Sequence, residues 1–173
     1  RLKGVFHRMI QTIDGLLPDT DYEIMLVRAN EASETVTFHT EPEPITLNVR
    51  DFGAFGDGVH DDTSAIQAAI LCCPKNARVL IPKGTYPVTA LFLKSDMILE
   101  LQENAVLAGI YDRARTPILP GQIEYDNEDG YYNLGSWEGN PIDSFASMIT
   151  GIHVKNVTIC GKGVLCLLYT SDA

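Results

Sequence analysis

The chain has 173 residues and sets 13 Lys and Arg against 23 Asp and Glu, a formal net charge of −10, which argues against nonspecific binding to nucleic acid. Apolar residues at 45% and charged residues at 21% are globular values, enough to bury a core and too apolar for overall disorder. No apolar run approaches the roughly 20 residues that a membrane helix needs.

The sequence opens at Arg1 without a charged-then-apolar leader, as expected where a secretion signal has been removed or the native start lies upstream. Tyr22-Glu23-Ile24-Met25-Leu26-Val27 and Glu34-Thr35-Val36-Thr37-Phe38 suit strands, and Asn30-Glu31-Ala32-Ser33 between them predicts the turn of a β-hairpin. Leu17-Pro18-Asp19-Thr20-Asp21-Tyr22, just ahead of the first strand, resembles the corner of a fibronectin type III domain, where a tyrosine hydroxyl bonds back to upstream backbone. Phe38-His39-Thr40 fits the last strand of such a module. A full sandwich takes about 100 residues, so residues 1–41 are expected to be only its C-terminal part. Glu41-Pro42-Glu43-Pro44 combines missing amide donors with like charges and predicts an extended linker at 42–44.

A second domain is expected over 45–165. Ile45-Thr46-Leu47-Asn48-Val49 alternates as a half-buried strand does. A glycine-rich loop follows and leads into a helix that begins near Asp62 or Thr63. Asp61, Asp62 and Thr63 are predicted to cap this helix, since carboxylates and hydroxyls favour helix N-termini. Ile66, Ala69, Ile70 and Cys73 share one face, Gln67 stands in capping-box register with Ser64, and Pro74 ends the helix. Beyond it come short apolar runs separated mostly by turns: 79–81, 86–88, 91–93, 97–101, 105–107, then Val154, Val157 and Ile159. Closely spaced strands with no second long helix predict an all-β solenoid, a right-handed parallel β-helix whose open N-terminal end is covered by the amphipathic helix.

The cysteines, Cys72, Cys73, Cys160 and Cys166, form no disulfide framework. With His7, His39, His60 and His153 far apart and no Cys-x-x-Cys pair, no zinc site is expected.

The run Val49-Arg50-Asp51-Phe52-Gly53-Ala54, continuing through Asp57-Gly58-Val59-His60-Asp61-Asp62-Thr63-Ser64-Ala65-Ile66-Gln67-Ala68-Ala69-Ile70, resembles the opening motif of the pectin-lyase-like β-helix superfamily. That scaffold serves several functions. Ile81-Pro82-Lys83-Gly84-Thr85-Tyr86, Leu99-Glu100-Leu101-Gln102-Glu103-Asn104-Ala105-Val106-Leu107-Ala108-Gly109, Ser136-Trp137-Glu138-Gly139 and the 152–163 segment are similar to glycoside hydrolase family 28, with bacterial exo-acting polygalacturonases the nearest group. The resemblance implies hydrolysis of polygalacturonate or rhamnogalacturonan with inversion, no cofactor, no metal, no nucleic-acid or membrane partner, and an extracellular or periplasmic location. Inversion uses an acid and a base carboxyl about 6.5–9.5 Å apart.

The family presents that pair in Asn-Thr-Asp and Asp-Asp motifs on successive coils, with Gly-His-Gly and Arg-Ile-Lys motifs. The adjacent Asp61 and Asp62 lie in the opening loop instead, so no catalytic residue is assigned here and the pair is expected downstream of Val164. Trp137 and Glu138 are the candidate substrate-binding residues. Between Thr116 and Val154 there is no Lys or Arg, and acidic residues stand among Tyr125, Tyr131, Tyr132 and Trp137. Such a long interruption fits a rim where rings stack on sugars, and equally a loop packed on its own aromatics. The alternative functions are a calcium-dependent pectate lyase and a non-catalytic tailspike or adhesin. Residues 166–173 resemble the translation of a transposase adapter used in sequencing-library preparation and are expected to be non-native.

Overall fold

The computed structural model describes residues 13, 15–28, 31–124 and 130–166, in two compact units that divide between Pro44 and Ile45. The adapter-like residues 167–173 and Tyr125, Asp126, Glu128 and Asp129 of the acidic segment lie outside the described residues.

In the first unit, β1 (Asp21–Arg28) pairs antiparallel with β2 (Glu31–His39), with an irregularity between Leu26 and Val27. Strand β2 starts earlier than expected, because Glu31, Ala32 and Ser33 continue the backbone ladder, which does not depend on the side chains. Tyr22 and Phe38 lie opposite each other and stack with centroids 5.7 Å apart. The Tyr22 hydroxyl accepts the Leu17 amide at 2.7 Å, and the Thr40 hydroxyl reaches the Leu17 carbonyl at 2.7 Å. These bonds close the corner before β1.

The second unit is the opening of a parallel β-helix. One parallel sheet stacks β3 (Thr46–Asn48), β4 (Ala77–Ile81), β7 (Met97–Leu101) and β16 (Val157–Gly161). A second stacks β5 (Gly84–Val88), β8 (Ala105–Gly109) and β17 (Val164–Cys166), and a third pairs β6 (Leu91–Phe92) with β15 (Ile149–Thr150). The chain visits the three sheets in turn, and each coil sets like positions over one another, as Leu47, Val79, Leu99 and Ile159 show. Alternation aims every second residue inward, so Ala77, Val79, Ile81, Met97, Leu99, Leu101, Ala105 and Leu107 form the core. Val154, expected in a strand, instead lies in the turn before β16.

Helix α1 (Thr63–Cys72) covers the first coil with Ile66, Ala69 and Ile70, and Cys73 follows them into the core. Two expected capping roles are corrected. The Asp62 carboxylate makes no capping bond; only 1% exposed, it accepts the amides of Phe55 at 2.6 Å and Gly56 at 2.9 Å and so closes the glycine-rich loop. Gln67 reaches sideways to β6 rather than back along its own helix. In both cases a tertiary partner with unpaired backbone groups outcompetes the helix terminus. At the other end, the Lys94 ammonium donates to the carbonyls of Leu71 and Cys73, a cation at the negative end of the helix dipole.

The glycine-rich loop is built around Arg50 and Tyr86. The Arg50 guanidinium donates to the Phe55 carbonyl at 2.8 Å and the Lys83 carbonyl at 3.0 Å and lies 5.6 Å from the centre of the buried Tyr86 ring. A Cβ on Gly56, whose φ is 60°, would stand 2.6 Å from Cζ of Tyr86. Only glycine fits that approach.

Candidate functional site

The chain leaves the coil after Gly109 and rejoins it at Ile149. The excursion folds as nested antiparallel pairs. β9 (Ile118–Leu119) and β14 (Ser144–Phe145) make the stem, and from it spring the hairpins β10 (Gln122–Glu124) with β11 (Tyr131–Asn133) and β12 (Ser136–Trp137) with β13 (Asn140–Pro141). Where the three meet, Leu134 donates to the Gly121 carbonyl at 2.9 Å, Ile142 donates to the Gly135 carbonyl at 3.1 Å, and Asp143 accepts the Gly121 amide at 2.8 Å. The backbones are so close that a Cβ on Gly121 would lie 2.3 Å from the Ile142 nitrogen.

The second hairpin turns on Glu138 and Gly139, with φ of 49° and 84°; left-handed residues at both central positions match a two-residue turn of the primed type. This turn presents Trp137 with 70% of its surface exposed, and Glu138 stands beside it, also exposed. The indole is therefore not packed among its neighbours. Tyr131 and Tyr132 of the first hairpin are also largely exposed, and Tyr132 meets His153 edge-on with centroids 4.6 Å apart. An exposed indole offers a broad apolar face for the C–H face of a sugar ring, and a carboxylate beside it can accept hydroxyl protons.

The acidic residues of the opening loop have other duties. Asp57 accepts the amides of Val59 and His60 and meets the His60 imidazole at 2.6 Å, and the two amide bonds together with the histidine hold its carboxyl far below the usual carboxylate range. Asp61 accepts the Thr63 amide at 2.9 Å and the Thr63 hydroxyl at 2.5 Å and pairs with Arg115. Burial opposes its charged form, but the Thr63 bonds and the Arg115 charge outweigh it and leave the carboxyl below its ordinary value. Thr63 in turn accepts the Thr89 amide at 2.9 Å. Among the described residues no group of three His, Cys, Asp or Glu is placed to hold a metal ion, and the four cysteines are free. Burial raises the Cys73 thiol, and partial desolvation with the nearby Glu100 charge raises that of the exposed Cys160, which favours the unreactive form of both at neutral pH.

Trp137 and Glu138 thus stand together on one hairpin, whereas Asp61, Asp62 and Thr63 stand at the capping helix. Gly121, Gly135 and Arg115, which build or brace the insertion, were not singled out in the sequence, and Asp143 stood out only as one of its acidic residues. The glycines were detectable as turn signals on either side of a strand pair; Arg115 carried no local signal, because its partner is distant in the chain.

Residues 46–164 match the family described as rhamnogalacturonase A/epimerase, pectate lyase-like. The exo-poly-α-D-galacturonosidase of Dickeya chrysanthemi is 35% identical over 169 residues, 92% of this chain and 27% of that protein. Plasmin and fibronectin-binding protein A of Streptococcus pneumoniae is 48% identical over only 75 residues, 40% of this chain and 10% of that protein. Among solved structures, the family 28 exopolygalacturonase of Yersinia enterocolitica superposes with a TM-score of 0.69 at 36% identity, covering 88% of this chain and 27% of that one. The chain spans about a quarter of the length of these two polygalacturonases.

Proposed function

The chain belongs to the rhamnogalacturonase A/epimerase, pectate lyase-like family, and on that basis we propose that it is part of a glycoside hydrolase that shortens polygalacturonate from its ends with inversion. One observation carries this reading: similarity to the Dickeya exo-poly-α-D-galacturonosidase runs along 92% of the chain, through both units, whereas similarity to the streptococcal binding protein covers 40%. The scaffold alone would leave hydrolase and adhesin open.

In this reading the described coils supply the scaffold and one rim of the groove. Trp137 stacks on a sugar face and Glu138 accepts a hydroxyl, while the acid and base carboxyls belong to coils following Val164. The substrate is a pectic polymer met outside the cell, so the protein acts in the extracellular space or periplasm. Residues 1–41 form the end of a fibronectin type III-like module, a reading supported by the hairpin and by the Tyr22 hydroxyl bonded to the Leu17 amide.

Trp137 is the sole tryptophan of the chain, so its fluorescence reports on the rim. Trigalacturonate is expected to change that emission saturably, and a Glu138→Gln variant to bind more weakly. The reading fails for the rim if the emission does not respond. For the reaction, the gene product extended through the later coils is expected to release terminal galacturonate units of inverted anomeric configuration, followed by NMR; release of an unsaturated product that needs calcium would identify a lyase, and no release an adhesin.

A further inference from the structure

We propose that Asp61 and Arg115 form a latch that fixes the 110–148 insertion to the capping helix, making Asp61 a positioning residue for the Trp137 hairpin that acts through Arg115. The consequence for saccharide binding rests on the reading above; the latch itself rests on geometry.

Each partner is held before they meet. Asp61 is oriented by the amide and hydroxyl of Thr63, and the Thr63 hydroxyl also accepts the Thr89 amide from the turn between β5 and β6. The Asp62 amide donates to the Pro87 carbonyl at 2.8 Å, tying the same spot to the coil. Arg115 sits on a turn closed by its own amide and that of Thr116, both donating to the Asp112 carbonyl at 3.0 Å, with the Ala114 amide on the Asp112 carboxylate at 2.9 Å. The Asp61 carboxylate and the Arg115 backbone are thus fixed in advance, so pairing orders only the Arg115 side chain, which separates this pair from a surface contact between two free side chains.

The position of the pair gives it a task. The insertion leaves the coil where Ile110 donates to the Val88 carbonyl at 2.7 Å and returns where Leu91 donates to the Met148 carbonyl at 2.9 Å. Both tethers lie on the short segment 88–91, with Met148 buried in the core beside them and Tyr132 meeting His153 on the far side of the return. Arg115 reaches beyond these anchors to the loop before α1, adding a further fixed point. An acid in the opening loop therefore helps to decide where an exposed indole stands.

The decisive variant is Asp61→Asn. Its carbonyl oxygen still accepts the Thr63 bonds, while its amide group turns a donor toward the Arg115 guanidinium, so the helix end is preserved and the latch is broken. In the whole chain, Asp61→Asn and Arg115→Gln are each expected to speed the nanosecond motion of Trp137 in time-resolved fluorescence anisotropy. Each should also weaken trigalacturonate binding about two- to fivefold, the scale of one partly exposed ion pair. The double variant should be no worse than either single one, Arg115→Lys should recover most of the loss, and 1 M NaCl should reproduce it in the native chain. Unchanged Trp137 motion in both single variants, or losses that add in the double variant, would overturn the latch. If Trp137 motion responds while the native chain binds no trigalacturonate, the latch stands and the saccharide reading falls.

Discussion

Gln67 and Phe92 form a reciprocal pair: the Gln67 amide nitrogen donates to the Phe92 carbonyl at 3.0 Å, and its oxygen accepts the Phe92 amide at 2.8 Å. In and just after β6, the amides of Leu91 and Leu93 bond to the Met148 and Thr150 carbonyls next to and within β15, which leaves the Phe92 groups pointing the other way. Gln67 stands in for the neighbouring strand that the first coil lacks on that side, and so helix α1 closes a sheet edge as well as the apolar end.

Gln67→Ala is therefore expected to destabilise the β-helix unit by about 1–3 kcal/mol, the cost of leaving part-buried backbone groups unpaired. Gln67→Glu keeps an acceptor for the Phe92 amide but repels its carbonyl, so it should fall between the two. Urea unfolding followed by far-UV circular dichroism measures both.

Leu99 lies at the centre of the stacked core, with Val79 below and Ile159 above it in register. Leu99→Ala should cost about 2–5 kcal/mol, because a coil hydrogen-bonded on both edges cannot collapse into the space left behind. A loss under about 1 kcal/mol in the same urea titration would show that the coils are loosely packed.

Tyr86 is fully buried, and its hydroxyl makes no well-aligned hydrogen bond among the described residues; burial pushes the phenol up, and the nearby Arg50 guanidinium opposes this only in part. Tyr86→Phe keeps the ring that fills the space against Gly56 and removes an unpaired polar atom, so its unfolding midpoint should equal or exceed that of the native chain. A lower midpoint would assign the hydroxyl a partner.

His39 joins Asp21 at 2.9 Å through Nδ1 and Asp19 at 3.1 Å through Nε2. Only the imidazolium has a proton on each nitrogen, so the two carboxylates raise the His39 pKa above its ordinary 6.5, the Asp21 bond first and the Asp19 bond second. A raised folded-state value means that this contribution to hairpin stability is complete below pH 6.5 and is lost as pH rises through the raised value. NMR titration of the His39 ring should show the upward displacement, and Asp21→Asn should reduce it more than Asp19→Asn.

Gly121→Ala should unfold the insertion locally and spare the coils, since the new methyl meets the Ile142 backbone rather than a movable side chain. Trp137 emission should shift as the hairpin opens, while the circular dichroism of the parallel sheets is retained.

Much of the scaffold could be read before any coordinates. The run 97–101 became β7 residue for residue, and Ile66, Ala69, Ile70 and Cys73 all turned inward. Periodicity reports these features because each depends only on which face of a local element must leave water. The Trp137 and Glu138 hairpin was visible as residue types, but its nested setting was not, since that depends on Gly121 and Gly135 meeting Ile142 across intervening chain.

The amino-acid order by itself determined the alternating strands, the apolar stripe of the helix that covers them and the glycine-rich turn between, because these follow from local sterics and the burial of apolar surface. Only the tertiary structure decided what the polar side chains do. Asp62 closes a loop instead of capping a helix, Gln67 completes a sheet edge, and Asp61 meets Arg115 far along the chain. A hydrogen bond or ion pair needs a partner at a set distance and angle, and for these residues the partner arrives only when the coils stack.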